Sequence, residues 1–283
     1  LEVEYEGGIA SSAKIVYVNG SDAFTTTRYA IDRKLAPVLS LSFGACEAYS
    51  PMAYRAVVQQ ANAQGITFIA AAGDQGAATC DHSSPIPQAS KGARATFPAG
   101  LPEVTAVGGT MFNEGLNPGS NPVSNPVSNP GATVYWTSTG SAVGYIPEVA
   151  WNESTARGEF AAGGGGPSAV FAKPFWQTGP GVPDDSARDI PDVSLAAAVD
   201  HDSYQVISRG LPFRVGGTSA AAPTFAAIVA LLNQSLLARK VLAQPGLGNI
   251  NPELYRLAQS AKDAFHDITE GDNAVQCAQG SAD

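Results

Sequence analysis

The sequence predicts an α/β fold in which a mostly parallel central sheet is flanked by helices. Along residues 13–72, short apolar runs rich in β-branched residues alternate with helical patterns, in the order strand, helix, strand, helix, strand. The strand runs are apolar at nearly every position, which is typical of parallel strands covered by helices on both faces. The chain has 283 residues, of which 44% are hydrophobic, and is therefore long enough to bury such a core.

The helices of this alternating region are predicted at 25–36 and 51–64, where apolar residues follow helical spacing. The predicted strands, in chain order, are 13–18, 38–43, 66–72, 104–107, 192–196 and 213–215. In a parallel sheet of this kind, binding sites form at the carboxyl ends of the strands. We therefore search for functional residues directly after these runs.

A repeat of turn-forming dipeptides occupies residues 117–131, in which N-P recurs every four residues. Proline at this spacing is incompatible with a helix or a central strand. Strand-like sequence resumes on both sides, so we interpret the repeat as an exposed loop inserted into one domain that covers residues 1–283. The chain lacks an initiator Met and begins and ends abruptly, so we expect it to be truncated at both ends.

The charge balance argues against nucleic acid as a partner. The chain carries 16 Lys and Arg against 25 Asp and Glu, a net charge of -9, without a cluster of basic residues. No apolar run spans a bilayer without interruption by polar residues, so we expect no membrane partner. Charged residues make up only 14%, and 30 Gly and 20 Pro are present, a composition that favours a loop-rich secreted protein.

A single serine stands between a glycine pair and a long apolar run in V-G-G-T-S-A-A-A-P, residues 215–223. We expect Val215 to end a strand and Gly216 and Gly217 to form a tight turn. Ser219 then begins a helix with Pro223 in its first turn. The free N–H groups and positive dipole of a helix start would stabilise an oxyanion, which makes Ser219 a candidate nucleophile.

An ordinary helix cap is the alternative for this serine. Ser and Thr are frequent at the amino end of helices, because their hydroxyl oxygen accepts a backbone N–H. Either Thr218 or Ser219 would fit that role. The neighbouring motifs decide between the two interpretations.

Several motifs spread over nearly the whole chain match one enzyme family in order. They are S-L-S-F-G (40–44), A-A-A-G-D-Q-G-A (70–77), F-P-A-G-L-P-E-V-T-A-V-G-G-T (97–110), I-P-D-V-S-L (190–195), G-T-S-A-A-A-P (217–223) and F-H-D-I-T-E-G-D-N (265–273). With these motifs the chain resembles the sedolisins, the serine-carboxyl peptidases. The resemblance implies a subtilisin-like three-layer fold and a secreted, monomeric acid endopeptidase made with an N-terminal propeptide, which acts on polypeptide through an acyl-enzyme on Ser219.

A subtilisin-like peptidase of neutral pH is the alternative, and it requires a histidine beside the serine. The chain has three histidines, His82, His201 and His266, and none stands in the H-G-T setting of subtilisins. We expect His82 and His201 to be exposed loop residues and His266 to lie in a structural turn. A carboxylate base remains, and such a base works at lower pH than imidazole.

In the sedolisins, as the resemblance implies, a helix carries the basic Glu and, four residues later, an Asp that orients it. That alignment places Glu2 at the Asp position and the general base before Leu1. A second register would pair Glu2 with Glu6, which also have helical spacing. A solvated acidic start to a helix is the interpretation that needs no function.

Asp74 follows a buried strand in G-D-Q-G, where the resemblance implies an oxyanion-binding residue. A carboxylic acid donates a hydrogen bond only while protonated, which again favours acid pH. Ser42, Phe43, Gly44 and Gly73 are the predicted substrate-binding residues, with substrate lying extended beside the strand end. The resemblance also relates the glycines at 163–166 to a segment near the cleft.

F-H-D-I-T resembles the start of the family's structural Ca²⁺ site, which implies Asp267 and the carbonyl of Ile268 as ligands. The remaining ligands would follow residue 283, so the site is expected to be incomplete in this chain. Three cysteines leave two interpretations open: one disulfide and one unpaired thiol, or three free thiols. Cys46 and Cys80 each follow a predicted strand end, so a disulfide between these loops is one possibility.

Two other functions compete with the peptidase. A catalytically silent homologue that binds peptide is favoured by the missing base and by Glu in place of Asp at Glu2. A nucleotide-binding α/β protein is disfavoured, because the glycines at 163–166 are followed by neither a G-K-[ST] nor a G-x-G-x-x-G pattern.

Overall fold

A computed structural model describes residues 1–49, 52–81, 88–114, 135–137, 139–261 and 263–280. The N-P repeat at 117–131 and His82 lie outside the described residues. Strands of this part of the chain are β1 Val38–Leu41, β2 Ala45–Cys46, β3 Thr67–Ala71, β4 Thr96–Phe97, β5 Thr105–Phe112, β6 Glu148–Ala150, β7 Gly166–Ala172, β8 Ala187–Ile190, β9 Val193–Ala196, β10 Tyr204–Ser208 and β11 Leu211–Val215. Its α-helices are α1 Glu2–Ile9, α2 Ala23–Asp32, α3 Met52–Ala63, α4 Ser154–Arg157, α5 Thr218–Ala238 and α6 Asn251–Ser260.

The central sheet is mixed and mostly parallel, as the sequence predicts. Strands β1, β3 and β5 pair in parallel in that order, and β9 pairs in parallel with β5. The antiparallel β6 pairs with the carboxyl-terminal end of β5, from Thr110 to Phe112. The carboxyl ends of β1 and β3 therefore open at one edge of the sheet, where the candidate site lies.

Helices cover both faces of this sheet, and the alternation of buried side chains along β3 explains the three layers. Phe68 and Ala70 pack into one core cluster with Val58 of α3. Ile69 and Ala71 point the opposite way and pack against α5 and α6. All five residues of β3 are buried, which is why this strand is apolar throughout.

Helix α5 is the core helix of the second face. Its small residues Ala221, Ala222 and Ala226 are buried against the sheet and allow a close approach. By length and composition α5 would also pass as a membrane span, although polar residues such as Asn233 and Gln234 interrupt its apolar run. Core helices meet the same criterion, and 44% of the relevant window is buried inside the protein.

The prediction of a strand at 13–18 is wrong, because no strand forms there. Tyr17 is 70% exposed, and β1 pairs with β3 alone among the described strands. A cavity of about 640 Å³ lies between this segment, β1 and α5. An apolar run rich in β-branched residues identifies a segment able to join a sheet, but the edge strand available for pairing decides whether it does.

The strand predicted at 213–215 exists, but in a separate hairpin of β10 and β11. The two-residue turn Arg209–Gly210 has positive φ at both positions, +53 and +78, as a tight hairpin turn requires. The other predicted strands and helices agree with the structure within a few residues at each end. Helix α6 and the antiparallel pair of β7 and β8 were not predicted.

Cys46 and Cys80 form a disulfide that joins the loops after β1 and β3. This result selects the first of the two interpretations of the cysteines. Cys277 is exposed and has no disulfide partner within the described residues.

Candidate active site

The backbone of the turn before α5 is closely packed against neighbouring atoms. We call Gly216, Gly217 and Thr218 the nucleophile turn. Gly217 has φ +87, and a Cβ placed there would lie 2.5 Å from Oδ2 of Asp74. Its N–H donates to the carbonyl of Ala197 at 2.6 Å. Only glycine fits this position, because both the dihedral angle and the neighbouring carboxyl exclude a side chain.

Ser219 is the second residue of α5 and is partly exposed. Its hydroxyl makes no hydrogen bond within the described part of the chain, so it is free to meet a ligand. Pro223 is the sixth residue of the helix and not in its first turn, which corrects the prediction. Because Pro223 has no N–H to bond the carbonyl four residues earlier, that carbonyl of Ser219 accepts the hydroxyl of Ser42 instead, at 3.2 Å.

Asp74 lies directly beside the nucleophile turn. Its Oδ1 accepts the backbone N–H of Thr218 at 2.7 Å and the hydroxyl of Thr218 at 2.8 Å. Burial raises the pKa of Asp74, and the two hydrogen bonds from Thr218 offset this only in part. The protonated carboxyl is thereby favoured, and its Oδ2, next to Gly217, has no partner among the described residues.

Thr218 is the functional residue that the sequence analysis underrated, since it was considered only as a helix cap. Besides holding Asp74, its hydroxyl oxygen accepts the N–H of Gly73 at 3.1 Å. It is fully buried and so joins the end of β3 to the start of α5. Its place directly before the candidate nucleophile was the available signal.

The predicted substrate-binding residues lie around Asp74 and Ser219. Gly73 has φ +110, and a Cβ there would approach Oγ1 of Thr96 to 2.6 Å. Past the end of β1, Ser42 is half-buried, while Phe43 and Gly44 are exposed. These three residues form an exposed edge after β1 that an extended peptide can reach.

The glycine-rich segment at 163–166 packs against the same loop. The N–H of Gly164 donates to the carbonyl of Gly73 at 2.6 Å, and the N–H of Ala162 donates to the carbonyl of Asp74 at 3.1 Å. Asn273 holds this segment from behind, since its side-chain amide donates to the carbonyls of Gly163 and Gly165. This role of Asn273 was not predicted from the sequence.

Glu2 lies on α1, which packs against α5. With Glu6 it lines the 640 Å³ cavity, which Ser42 and Phe43 also border. No hydrogen bond joins Glu2 to Ser219 in the described structure. Burial, together with the nearby carboxylate of Glu2, raises the pKa of Glu6 to about 7.

The described histidines do not contact the candidate nucleophile. His266 is exposed and stacks on Tyr145, with ring centroids 3.5 Å apart. His201 was predicted to be an exposed loop residue, and this is wrong: its side chain is only 13% exposed and lies between two carboxylates, Glu114 and Asp202. Burial of polar groups depends on distant segments, which the local sequence does not show.

The predicted calcium ligands do not form a metal site by themselves. Asp267 is exposed, and Ile268 borders a smaller cavity of about 330 Å³ beside the glycine-rich segment. Among the described residues, no group of three His, Cys, Asp or Glu side chains could hold a metal ion. These two residues alone offer too few oxygen ligands for calcium, which takes about six to eight.

Comparisons with known proteins agree with this geometry. The model of the Subtilase family matches residues 4–243. Kumamolisin from Bacillus sp. (strain MN-32) is 32% identical over 292 residues, which cover 97% of this chain and 44% of kumamolisin. Tripeptidyl-peptidase sed1 from Aspergillus fumigatus is 31% identical over 248 residues, which cover 83% of this chain and 35% of that protein.

A solved structure is also similar. It is Pseudomonas sedolisin, a serine-carboxyl proteinase, in complex with two molecules of pseudo-iodotyrostatin. The TM-score is 0.69 at 27% identity, and the match covers 91% of this chain and 63% of that one. The present chain spans less than half the length of the two curated relatives.

Proposed function

Because this chain belongs to the subtilase family, and within it to the sedolisins, we propose that it is the catalytic domain of a secreted acid serine-carboxyl endopeptidase. One observation carries the proposal. A carboxyl group with a raised pKa, that of Asp74, is held by Thr218, which immediately precedes a serine at the start of helix α5.

The reaction follows from this arrangement. The hydroxyl oxygen of Ser219 attacks the peptide carbonyl carbon, and its proton passes to a carboxylate base. The developing oxyanion receives hydrogen bonds from the protonated Asp74 and from the N–H of Ser219 at the helix start. The C–N bond then breaks as the amine takes up the proton, and water releases the acyl group from Ser219.

The general base stays a prediction upstream of Leu1, with Glu2 assisting it. The alternative register would make Glu2 the base and Glu6, four residues later, the carboxyl group that orients it. With a pKa of about 7, Glu6 would keep its proton at acid pH and would orient Glu2 as a neutral hydrogen-bond donor.

Substrate is proposed to lie extended beside Ser42, Phe43 and Gly44 and opposite Gly73. Exposure of this edge and the hydroxyl contact from Ser42 to Ser219 support the position. We further propose that residues 1–283 form one monomeric domain released from a propeptide. Secretion is supported by the disulfide, which persists in oxidising compartments.

Calcium binding also stays a prediction, and no catalytic step depends on it here. Its test is the unfolding temperature of the chain with calcium and with a chelator. A rise with calcium that Asp267→Asn abolishes would support Asp267 as a ligand, and an unchanged unfolding temperature would exclude it.

The peptidase proposal is tested with the protein extended upstream of Leu1, so that the proposed base is present, by the hydrolysis of a denatured protein between about pH 3 and about pH 8, with Ser219→Ala beside the parent protein. We expect activity at acid pH that falls on the order of 10⁶-fold in Ser219→Ala. Ser194→Ala is the matched control and should keep its activity. An optimum near neutral pH would favour the subtilisin-like alternative, and no hydrolysis at any pH would favour the silent peptide-binding homologue.

A further inference from the structure

A buried cluster of charged groups lies outside the candidate active site. Nε2 of His201 is 3.5 Å from Oε2 of Glu114, and its Nδ1 is 3.4 Å from Oδ1 of Asp202. The side chains of Glu114 and Asp202 are 0% and 3% exposed. We call these three residues the His201 cluster.

The contacts within the His201 cluster depend on charge. None of the facing atoms, Oε2 of Glu114, Nδ1 of His201 and Oδ1 of Asp202, has a partner in hydrogen-bond geometry within the described structure. Two buried carboxylates without a cation would be costly, because isolated charges lose their hydration in the protein interior. In the described part of the chain, no Lys or Arg forms an ion pair with Glu114 or Asp202, so His201 is their cation.

Further groups complete the surroundings of the imidazole. The carboxylate of Glu153 accepts the backbone N–H groups of Val199, Asp200 and His201, at 2.8, 2.9 and 3.0 Å. Trp136 donates its indole N–H to the other oxygen of Glu114 at 3.1 Å. The imidazole therefore faces Glu114, Asp202 and Glu153, while Asp200 binds Arg157 at the surface.

The loop that carries His201 is in direct contact with the nucleophile turn. The carbonyl of Ala197 accepts the N–H of Gly217 at 2.6 Å. A Cβ on Gly216 would lie 2.6 Å from that carbonyl and 2.8 Å from the carbonyl of Ala198. Since there is no free space between the two segments, a shift of the loop displaces the turn that presents Ser219.

We propose that His201, as a cation between the buried carboxylates of Glu114 and Asp202, is a positioning residue for the nucleophile turn, which loosens when the imidazole becomes neutral. The effect of this loosening on catalysis rests on the proposed function. The link between the His201 cluster and the turn is independent of it.

The direction of the pH dependence follows from the pKa shifts of His201 and Asp202. Burial by itself lowers the pKa of His201, but Asp202, Glu114 and Glu153 outweigh it and hold that pKa above its ordinary value. A raised folded pKa gives a stabilisation that is complete below about pH 6.5 and is lost as the pH rises through the folded value. Burial also raises the pKa of Asp202, which acts in the same direction.

The test compares His201→Gln with the parent chain in urea unfolding and in hydrogen exchange of the peptide that contains the nucleophile turn. At about pH 5, below the ordinary pKa of histidine, we expect His201→Gln to be less stable and its turn to exchange several-fold faster. As the pH rises through the raised pKa of His201, both differences should shrink, and they should largely disappear once the imidazole is neutral. His266→Gln, which changes an exposed histidine, is the matched control and should follow the parent chain. Equal pH dependence of the parent and His201→Gln would overturn the proposal.

If His201→Gln fails to fold, Glu114→Gln provides a second test, in which the stability difference from the parent should change with pH. It removes one buried carboxylate, so its stability relative to the parent should improve from about pH 5 to about pH 8. No change in that difference would also count against the proposal. Both measurements work without activity, so a chain that hydrolyses no protein would refute the peptidase while these data still decide the role of His201.

Discussion

The nucleophile turn and the amino-terminal region differ sharply in how they are packed. In the nucleophile turn, added Cβ atoms would come within 2.5–2.8 Å of neighbouring atoms at both glycines. In the amino-terminal region, by contrast, α1 and residues 13–18 border an open cavity of about 640 Å³. The part that presents Ser219 and Asp74 is therefore fixed by close backbone packing, whereas Glu2 and Glu6 of α1 line an open cavity.

This difference in packing predicts how substitutions in the two regions should affect activity and stability. Substitutions around Asp74 and Gly217 should alter activity strongly, because they move groups that have no space to relax. Substitutions in the amino-terminal region should act mainly through charge and exposure, with smaller effects on stability.

Asp74 is expected to give the largest effect. Asp74→Ala should lower kcat/KM by about 10²- to 10³-fold, since it removes the donor to the oxyanion. Asp74→Asn keeps a donor at every pH, so its activity should extend to higher pH than that of the parent. The measurement is the pH profile of kcat/KM, with the exposed Asp263→Asn as control. If Asp74→Asn keeps the parent profile, protonation of Asp74 does not limit activity.

Gly217→Ala should come next. The new methyl group would meet Oδ2 of Asp74 at 2.5 Å, and φ of +87 is unfavourable for alanine. We expect about a 10²-fold loss of kcat from the misplaced carboxyl. Gly210→Ala is a matched control, because its φ is +78 but no atom lies within 4 Å of the added Cβ.

Both alanine variants should lose on the order of 1 kcal/mol of stability from the backbone conformation. Only Gly217→Ala should also lose activity. Equal kcat values for the two would mean that the contact with Asp74 is irrelevant to the reaction.

Glu6→Gln should change stability in a pH-dependent way. The folded pKa of Glu6, about 7, exceeds its ordinary 4.5, so its stabilising protonated form is lost as the pH rises through 7. Glutamine stays neutral, and above pH 7 the variant should be more stable by about 1 kcal/mol, allowing for solvent screening. Near pH 4, close to the ordinary pKa of Glu, the gain should vanish.

Urea unfolding at the two pH values measures the gain, and Glu4→Gln, on the exposed side of α1, serves as control. A gain at both pH values, or in both variants, would show that helix propensity and not burial of Glu6 is responsible.

Tyr17→Ser should have the smallest effect, within about 0.5 kcal/mol, because the side chain is 70% exposed. Ile69→Val in the buried strand β3 is the comparison, with an expected loss of about 0.5–1.5 kcal/mol. If Tyr17→Ser cost as much as Ile69→Val, the segment 13–18 would be packed in solution, as its apolar sequence suggests.

Much of the fold could be predicted because its signals are local. The apolar run of β3 and the helical patterns of α2 and α3 depend on residues close in sequence. The same holds for Ser219 and Asp74, which stand in short motifs directly after strands. Strand 13–18 and His201 were predicted wrongly, since the pairing of an edge and the burial of a side chain depend on distant segments.

The layered α/β core, the serine at the start of a long apolar helix and the acidic residue after β3 can all be identified from sequence alone. Three contacts became known only from the folded chain: Thr218 holds Asp74, Cys46 pairs with Cys80, and His201 lies between two buried carboxylates. Periodicity and turn chemistry act over a few residues, whereas these contacts join segments that chain packing brings together. A carboxyl group acquires its pKa from that packing, and so the chemistry of the site is set in three dimensions.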